Sequence, residues 1–143
     1  MKYFCNPVNM EYRYQMFQIK GQENLCEAHR EAADPSIIYF KGRYYLFPSM
    51  SAGFYTSENL AGWEFHAFSG DIPIYDYAPD IRVVGDYVYC CASSHENECS
   101  FYRTKDPLTE PFEETKGSFR FWDPNLLCDD DGRLYLYWGS SNS

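Results

Sequence analysis

The chain has 143 residues, of which 45% are hydrophobic and 20% aromatic, enough to form one domain-sized core. Its 12 basic and 21 acidic residues give a formal net charge of -9, which argues against a nucleic-acid partner because phosphate binding needs a basic face. No apolar run approaches the roughly 18 residues of a membrane helix, and the N-terminus does not resemble a secretory signal. We therefore expect a soluble, cytoplasmic protein with no membrane partner.

Residues 1–30 form a leader that precedes a repeated pattern. The segment EYRYQMF at 11–17 is aromatic and apolar, which is typical of an extended strand. In a closed ring of repeats, such a leader often completes the last unit.

Three segments after the leader can be aligned with one another, namely ADPSII at 33–38, YAPDIR at 77–82 and WDPNLL at 122–127. Their prolines, at positions 35, 79 and 124, are 44 and 45 residues apart, which is the period at which propeller blades recur. Each segment continues into a glycine-containing turn and a tyrosine-rich run, a pattern that predicts a β-hairpin.

The first two units each have two further short β-like runs. Four antiparallel strands in a unit of about 45 residues make a propeller blade, so we predict an all-β propeller. The predicted bounds are 31–70 for blade one, 75–116 for blade two and 120–143 for a partial blade three. About two and a half blades cannot close a ring, so we expect either that the chain is truncated or that unpaired blade edges associate with another copy.

The repeat places acidic residues in register. Position 34 of the first unit corresponds to 78 and 123 in the others, and these positions carry Asp34, Ala78 and Asp123. The innermost strands of a propeller begin around one mouth, so both carboxylates should face one concave site, an arrangement that glycoside hydrolysis can use. A single Asp-Pro pair would more simply start a turn. Asp80 lies two positions out of register, where the other units have short turn-capping residues, and we interpret it as structural.

These three motifs together resemble glycoside hydrolase family 43 over nearly the whole chain. The resemblance implies a five-bladed propeller and an inverting mechanism, with Asp34 as the general base and Asp123 as the carboxylate that orients the general acid and raises its pKa. In the family the acid is a glutamate of the fourth blade, which the chain does not include. Loss of a general acid costs about 10²- to 10⁴-fold in rate, so we expect the chain alone to be almost inactive.

Other residues have weaker claims to a role. Tyr77 and Trp122 precede the repeat positions and could stack on a sugar ring or pack within the blades, and the sequence does not decide between these roles. We expect no cofactor, since CDDDG at 128–132 lacks a calcium-loop pattern, and residues for the axial calcium of some family members would lie beyond Ser143. The six cysteines are expected to be reduced. The remaining glutamates near the second blade are expected on the surface: Glu96, Glu98, Glu110, Glu113 and Glu114.

The resemblance implies a glycosidase acting on xylose- or arabinose-containing carbohydrates, of the β-xylosidase or α-L-arabinofuranosidase type. A related propeller that transfers or phosphorolyses sugars is a second enzyme interpretation. The alternative from another class is a non-catalytic carbohydrate-binding propeller or a degenerate one. A continuation of the chain with a motif like Glu-Gly-Pro would favour the enzyme.

Overall fold

The computed structural model of the chain describes residues 10–11, 14–19, 21–31, 33–68, 78–94, 98–117 and 119–139. These residues form twelve β-strands and contain no helix, so no helical membrane span exists in this part of the chain. The predicted all-β class is confirmed. The strands are β1 (Tyr14–Ile19), β2 (Gln22–Glu31), β3 (Ser36–Phe40), β4 (Arg43–Phe47), β5 (Gly53–Ser57), β6 (Glu64–Ala67), β7 (Asp80–Val84), β8 (Tyr87–Cys91), β9 (Phe101–Thr104), β10 (Glu113–Thr115), β11 (Trp122–Cys128) and β12 (Leu134–Gly139).

The leader forms an antiparallel hairpin of its own, in which β1 pairs with β2 in a two-stranded sheet. It contacts the first four-stranded sheet through the Tyr55 hydroxyl, which donates a 2.8 Å hydrogen bond to the carbonyl of Glu11. Tyr55 is completely buried. The leader is thus attached to the first repeat by a phenol that has no access to water.

The first repeat is a four-stranded antiparallel sheet in the order β3-β4-β5-β6. Its first hairpin closes through Lys41 and Gly42, whose φ angles are 47° and 84°. Two consecutive left-handed residues make the tight turn whose twist matches that of the flanking strands, and glycine adopts this conformation at little cost. The predicted hairpin at this glycine is therefore confirmed.

The second repeat has the same architecture, in the order β7-β8-β9-β10. The third repeat contributes the pair β11-β12 within the described residues. Four-stranded antiparallel units, predicted from the period, are thus present in the first two repeats.

Two apolar clusters join the three sheets. The first contains residues of the first and second sheets, with the fully buried Ile81 and Val88 packed against Phe47 and Phe54. The second joins the second and third sheets through Cys91, Cys99, Phe121 and Leu126. Alternate residues of each strand face opposite sides of its sheet, so the middle sheet is covered by its two neighbours.

The two outer faces of this stack carry exposed apolar side chains. Tyr39 is 60% exposed on the first sheet, and Tyr137 is 57% exposed on the third. Self-association through open edges stays a prediction.

The first strands of the three repeats lie next to one another. Hydrogen bonds connect residue 36 to residues 80 and 81, residue 80 to residue 126, and residue 82 to residue 126. The offset is 44 to 46 residues in every case, so the strands run in the same direction and begin at the same end of the stack. This is the arrangement of propeller blades around an axis.

Candidate active site

The residue that starts each repeat has the same unusual backbone conformation. The φ angles are 47° at Asp34, 49° at Ala78 and 45° at Asp123. Left-handed backbone is uncommon for residues other than glycine and costs of order 1–3 kcal/mol. Its recurrence at the three aligned positions shows that they are equivalent in the structure as well as in the sequence. Asp34 and Asp123 therefore lie at corresponding points of two blades, with Ala78 between them.

Both candidate carboxylates lie at accessible positions. Asp34 and Asp123 are exposed, whereas the proline after Asp123 is buried. The backbone is thus held by packing immediately beside a carboxylate that water and a ligand can reach.

A serine at the end of the second strand of each blade binds the start of the next blade. The Ser49 hydroxyl accepts a 2.8 Å hydrogen bond from the amide of Ala78. The Ser93 hydroxyl accepts a 2.9 Å hydrogen bond from the amide of Asp123. Both serines are buried. These two bonds provide a partner for the backbone donors of two of the three left-handed residues, Ala78 and Asp123.

Ser49 also contacts the Asp34 side chain. Its hydroxyl donates a 3.3 Å hydrogen bond to Oδ2 of Asp34, and its amide donates to the carbonyl of Ala33. One buried side chain thus joins the Asp34 carboxylate to the backbone of the second blade. Sequence reasoning missed both Ser49 and Ser93. The signal for them was their separation of 44 residues, the same as the period of the prolines.

Asp80 is buried between the blades, with a relative exposure of 5%. Its Oδ1 accepts a 2.7 Å hydrogen bond from the Ser36 hydroxyl, and its Oδ2 accepts a 2.6 Å hydrogen bond from the amide of Leu126. Nη1 of Arg82 lies 3.3 Å from the same carboxylate. A buried carboxylate needs such partners. The contacts agree with a structural role for Asp80, and they also show a link across three blades that the sequence did not predict.

The two candidate aromatic residues differ in what the structure describes. Trp122 is the first residue of β11, is half-buried and pairs with Gly139 of β12. Tyr77 lies outside the described residues. The sugar-stacking role of both residues stays a prediction.

Four glutamates of the second blade lie on the surface of the described structure. Glu98, Glu110, Glu113 and Glu114 are exposed, and Glu96 lies outside the described residues. Glu113 accepts a hydrogen bond from Arg103, and Glu114 accepts one from the Ser100 hydroxyl. These contacts agree with their expected place on the surface.

The structure shows no disulfide at Cys90, Cys91, Cys99 or Cys128. Cys90, Cys91 and Cys99 are free and buried. Burial raises the pKa of the Cys90 thiol well above its usual range. Burial, and then the negative charge of Asp80, raise the pKa of Cys91 in the same way. The Cys90 and Cys91 thiols therefore stay protonated at neutral pH and are poor nucleophiles. No three acidic, histidine or cysteine side chains among the described residues cluster as a metal site would require.

Stacked four-stranded antiparallel sheets with adjacent, codirectional first strands define the chain as part of a β-propeller. Two exposed carboxylates lie at one end of these strands. The family model for glycosyl hydrolases family 43 matches residues 28–143. The chain belongs to this family.

Solved structures that are similar to this chain include a family-43 glycoside hydrolase, an arabinanase and a galactanase. A thermostable family-43 glycoside hydrolase is 22% identical with a TM-score of 0.65, and the match covers 95% of this chain and 44% of that one. An exo-1,5-α-L-arabinanase from a bovine ruminal metagenomic library is 24% identical with a TM-score of 0.56, over 76% of this chain and 47% of that one. An exo-β-1,3-galactanase from Phanerochaete chrysosporium is 20% identical with a TM-score of 0.58, over 78% and 33%.

The chain spans less than half the length of these three structures. A search of curated proteins finds no significant match.

Proposed function

We propose that the chain supplies the first blades of a glycoside hydrolase that cleaves xylosidic or arabinofuranosidic bonds with inversion at the anomeric carbon. The observation that carries this proposal is the pair of exposed carboxylates, Asp34 and Asp123, at equivalent left-handed positions of two blades. Membership of family 43 and the arabinanase among the similar structures support the substrate class.

In the proposed mechanism, Asp34 removes a proton from a water molecule, which attacks the anomeric carbon from the face opposite the leaving group. The base must be reachable by water, and the exposed Asp34 meets this requirement. The two carboxyl groups that act as acid and base in inverting enzymes are about 6.5–9.5 Å apart, which leaves room for this water. The backbone strain at Asp34 and its bond to Ser49 restrict the positions the base can take.

Asp123 acts through its charge in this proposal. A second carboxylate near the general acid raises the pKa of that acid by repulsion between like charges, so the acid stays protonated until it transfers its proton to the leaving oxygen. The family resemblance places the acid on a fourth blade, so activity belongs to a propeller that contains this chain and that blade. Trp122 would offer its ring to a sugar face, since the C–H bonds of a pyranose make that face partly apolar.

The test is an assay of the full product of the gene. The substrates are para-nitrophenyl β-D-xyloside, para-nitrophenyl α-L-arabinofuranoside and β-1,3-galactan. Asp34→Asn should lower kcat at least 10²-fold, because the base can no longer accept a proton. Proton NMR of the first product formed should show the inverted anomer.

The matched control is Asp86→Asn, an exposed aspartate in the β7–β8 turn, which should keep the wild-type rate. Unchanged turnover in Asp34→Asn would refute the assignment of the base. Carbohydrate binding by the wild-type protein without hydrolysis would instead identify a non-catalytic propeller.

A further inference from the structure

We propose that Asp80 is a positioning residue of the candidate active site, whose carboxylate sets the separation of Asp34 and Asp123 by joining β3 to β11. This inference rests on the proposed function, because it takes Asp34 as the general base and Asp123 as the carboxylate that acts on the general acid. It concerns the residue two positions after Ala78 in the second repeat.

The two oxygens of the Asp80 carboxylate bind opposite neighbours. Oδ1 accepts from the Ser36 hydroxyl of the first blade at 2.7 Å, and Oδ2 accepts from the Leu126 amide of the third blade at 2.6 Å. The Ser36 hydroxyl in turn accepts a hydrogen bond from the amide of Ile81 at 3.2 Å. A single rigid group, anchored in the middle blade, therefore holds the first strands of both outer blades.

These contacts lie close to the candidate carboxylates along the chain. Ser36 follows Asp34 by two residues, and Leu126 follows Asp123 by three. Strand segments this short transmit a displacement of one end to the other almost unchanged. A shift of β11 against β3 would therefore become a change in the separation of Asp34 and Asp123.

Arg82 strengthens the hold on the third blade. Its Nε donates to the carbonyl of Leu126, and its Nη1 lies 3.3 Å from Oδ1 of Asp80. Both polar backbone groups of Leu126 thus bind the middle blade, one through the carboxylate and one through the guanidinium. Strand β11 cannot slide along β7 without breaking both bonds.

The repeat itself indicates why a carboxylate stands here. The positions equivalent to Asp80 carry the neutral residues Ser36 and Asn125. Of the three repeats, only the second has an acid at this position, and its neighbours on both sides carry the candidate carboxylates. Both oxygens of a carboxylate accept hydrogen bonds and neither donates one. Burial of a charge costs free energy that a neutral residue would avoid, so stability alone does not account for this choice.

Three variants test the proposal in the full-length enzyme. Asp80→Ala removes both bonds between blades. Asp80→Asn can keep both, with its carbonyl towards Leu126 and its amino group towards Ser36, whose oxygen has a second lone pair, but that amino group replaces the oxygen that Nη1 of Arg82 contacts. Thr104→Val is the control, since Thr104 is 2% exposed and its hydroxyl makes hydrogen bonds within the second blade, to Glu110 and Asp106.

We expect Asp80→Ala to lower kcat by about 10²-fold with a smaller change in KM, because misplacement by about 1 Å costs this much. Asp80→Asn should restore part of the loss, because it can keep the two bonds between blades but not the contact with Arg82. Thr104→Val should destabilise the protein while kcat stays at the wild-type value. Wild-type kcat in a folded Asp80→Ala protein, or an equal loss of kcat in Thr104→Val, would overturn the proposal.

Crystal structures of the same proteins give a measurement independent of activity. The distance between the Cα atoms of residues 34 and 123 should change in Asp80→Ala and stay constant in Thr104→Val. If Asp80→Ala does not fold, Ser36→Ala, which removes the two hydrogen bonds between Ser36 and β7 and leaves the bond to β11, takes its place in both measurements. An unchanged distance overturns the positioning role. A wild-type enzyme that hydrolyses no glycoside overturns the proposed function instead, while the distance still decides whether Asp80 sets the separation.

Discussion

The serine that ends the second strand of each blade should contribute measurably to stability, and Ser49→Ala tests this on the chain itself. The Ser49 side chain is fully buried, accepts from the Ala78 amide at 2.8 Å and donates to Asp34 at 3.3 Å. Loss of the hydroxyl leaves the Ala78 amide without this acceptor, which costs about 1–3 kcal/mol. The bond to Asp34 is longer than the 2.5–2.7 Å usual for a hydroxyl on a carboxylate and adds less.

Ser93→Ala should cost a similar amount, because the Ser93 hydroxyl accepts from the Asp123 amide at 2.9 Å. Ser100→Ala is the control, since Ser100 makes an exposed bond to Glu114 and such substitutions usually change stability by less than about 0.5 kcal/mol. The assay is urea unfolding followed by circular dichroism. With an m-value of about 1–3 kcal/mol/M, the midpoint should fall by about 1 M in both test variants.

Amide hydrogen exchange can distinguish the effects of the two serine substitutions. Ser49→Ala should accelerate exchange at Ala78 and leave Asp123 unchanged, whereas Ser93→Ala should do the reverse. Unfolding midpoints equal to that of Ser100→Ala, or equal acceleration at both amides in each variant, would refute the reasoning that each serine holds the start of the next blade.

Two further predictions concern a closely packed glycine and the buried titratable side chains. Gly117→Ala should destabilise the chain by about 1–3 kcal/mol or more, because a Cβ there would lie 1.7 Å from the carbonyl oxygen of Cys99. The control is Gly62→Ala, where a Cβ meets nothing within 4 Å, and its stability should differ from wild type by less than about 0.5 kcal/mol. Equal urea midpoints for the two variants would contradict this prediction. Stability should also fall as the pH rises above 9.0, the ordinary pKa of a thiol, because burial raises the folded-state pKa of Cys90 and the unfolded chain therefore releases this proton first. Tyr102 adds to the loss above pH 10.0, the ordinary pKa of a tyrosine, because burial raises its folded-state pKa to about 12. The loss of unfolding free energy is about 1.4 kcal/mol per pH unit for each such group until its folded-state pKa is reached. Urea titrations from pH 7 to 11 should show this loss, and Cys90→Ala should reduce the slope of stability against pH. Stability that does not change with pH would contradict the prediction.

The repeat was predictable because its markers are local. Proline in register, a glycine in the hairpin turn and a tyrosine-rich second strand all lie within one blade, and each has a conformational cause that acts over a few residues. The position of Asp34 and Asp123 followed from the same register. Both aspartates begin their blades with nearly the same φ angle.

The contacts between blades were not predictable, because they depend on which surfaces pack together. A serine such as Ser49 or Ser93 has no distinguishing neighbour in the sequence, and its partner is 29 or 30 residues away. Strand β2 was also missed. Half of its sequence, QENLCEAHRE, consists of residue types that are depleted in strands, so its pairing with β1 overrides a weak propensity.

The separation of two carboxylates on different blades cannot be set by either blade alone. Within a blade, the ladder of backbone hydrogen bonds holds each strand to the next, and this ladder is independent of the neighbouring sheet. Between the blades, the described contacts include apolar packing, which tolerates small displacements, and directional hydrogen bonds, among them those of Asp80, Arg82 and the two serines. Catalysis should therefore be more sensitive to the loss of one bond between blades than to the loss of an equally buried bond within a blade. The comparison of Asp80→Ala with Thr104→Val measures this difference.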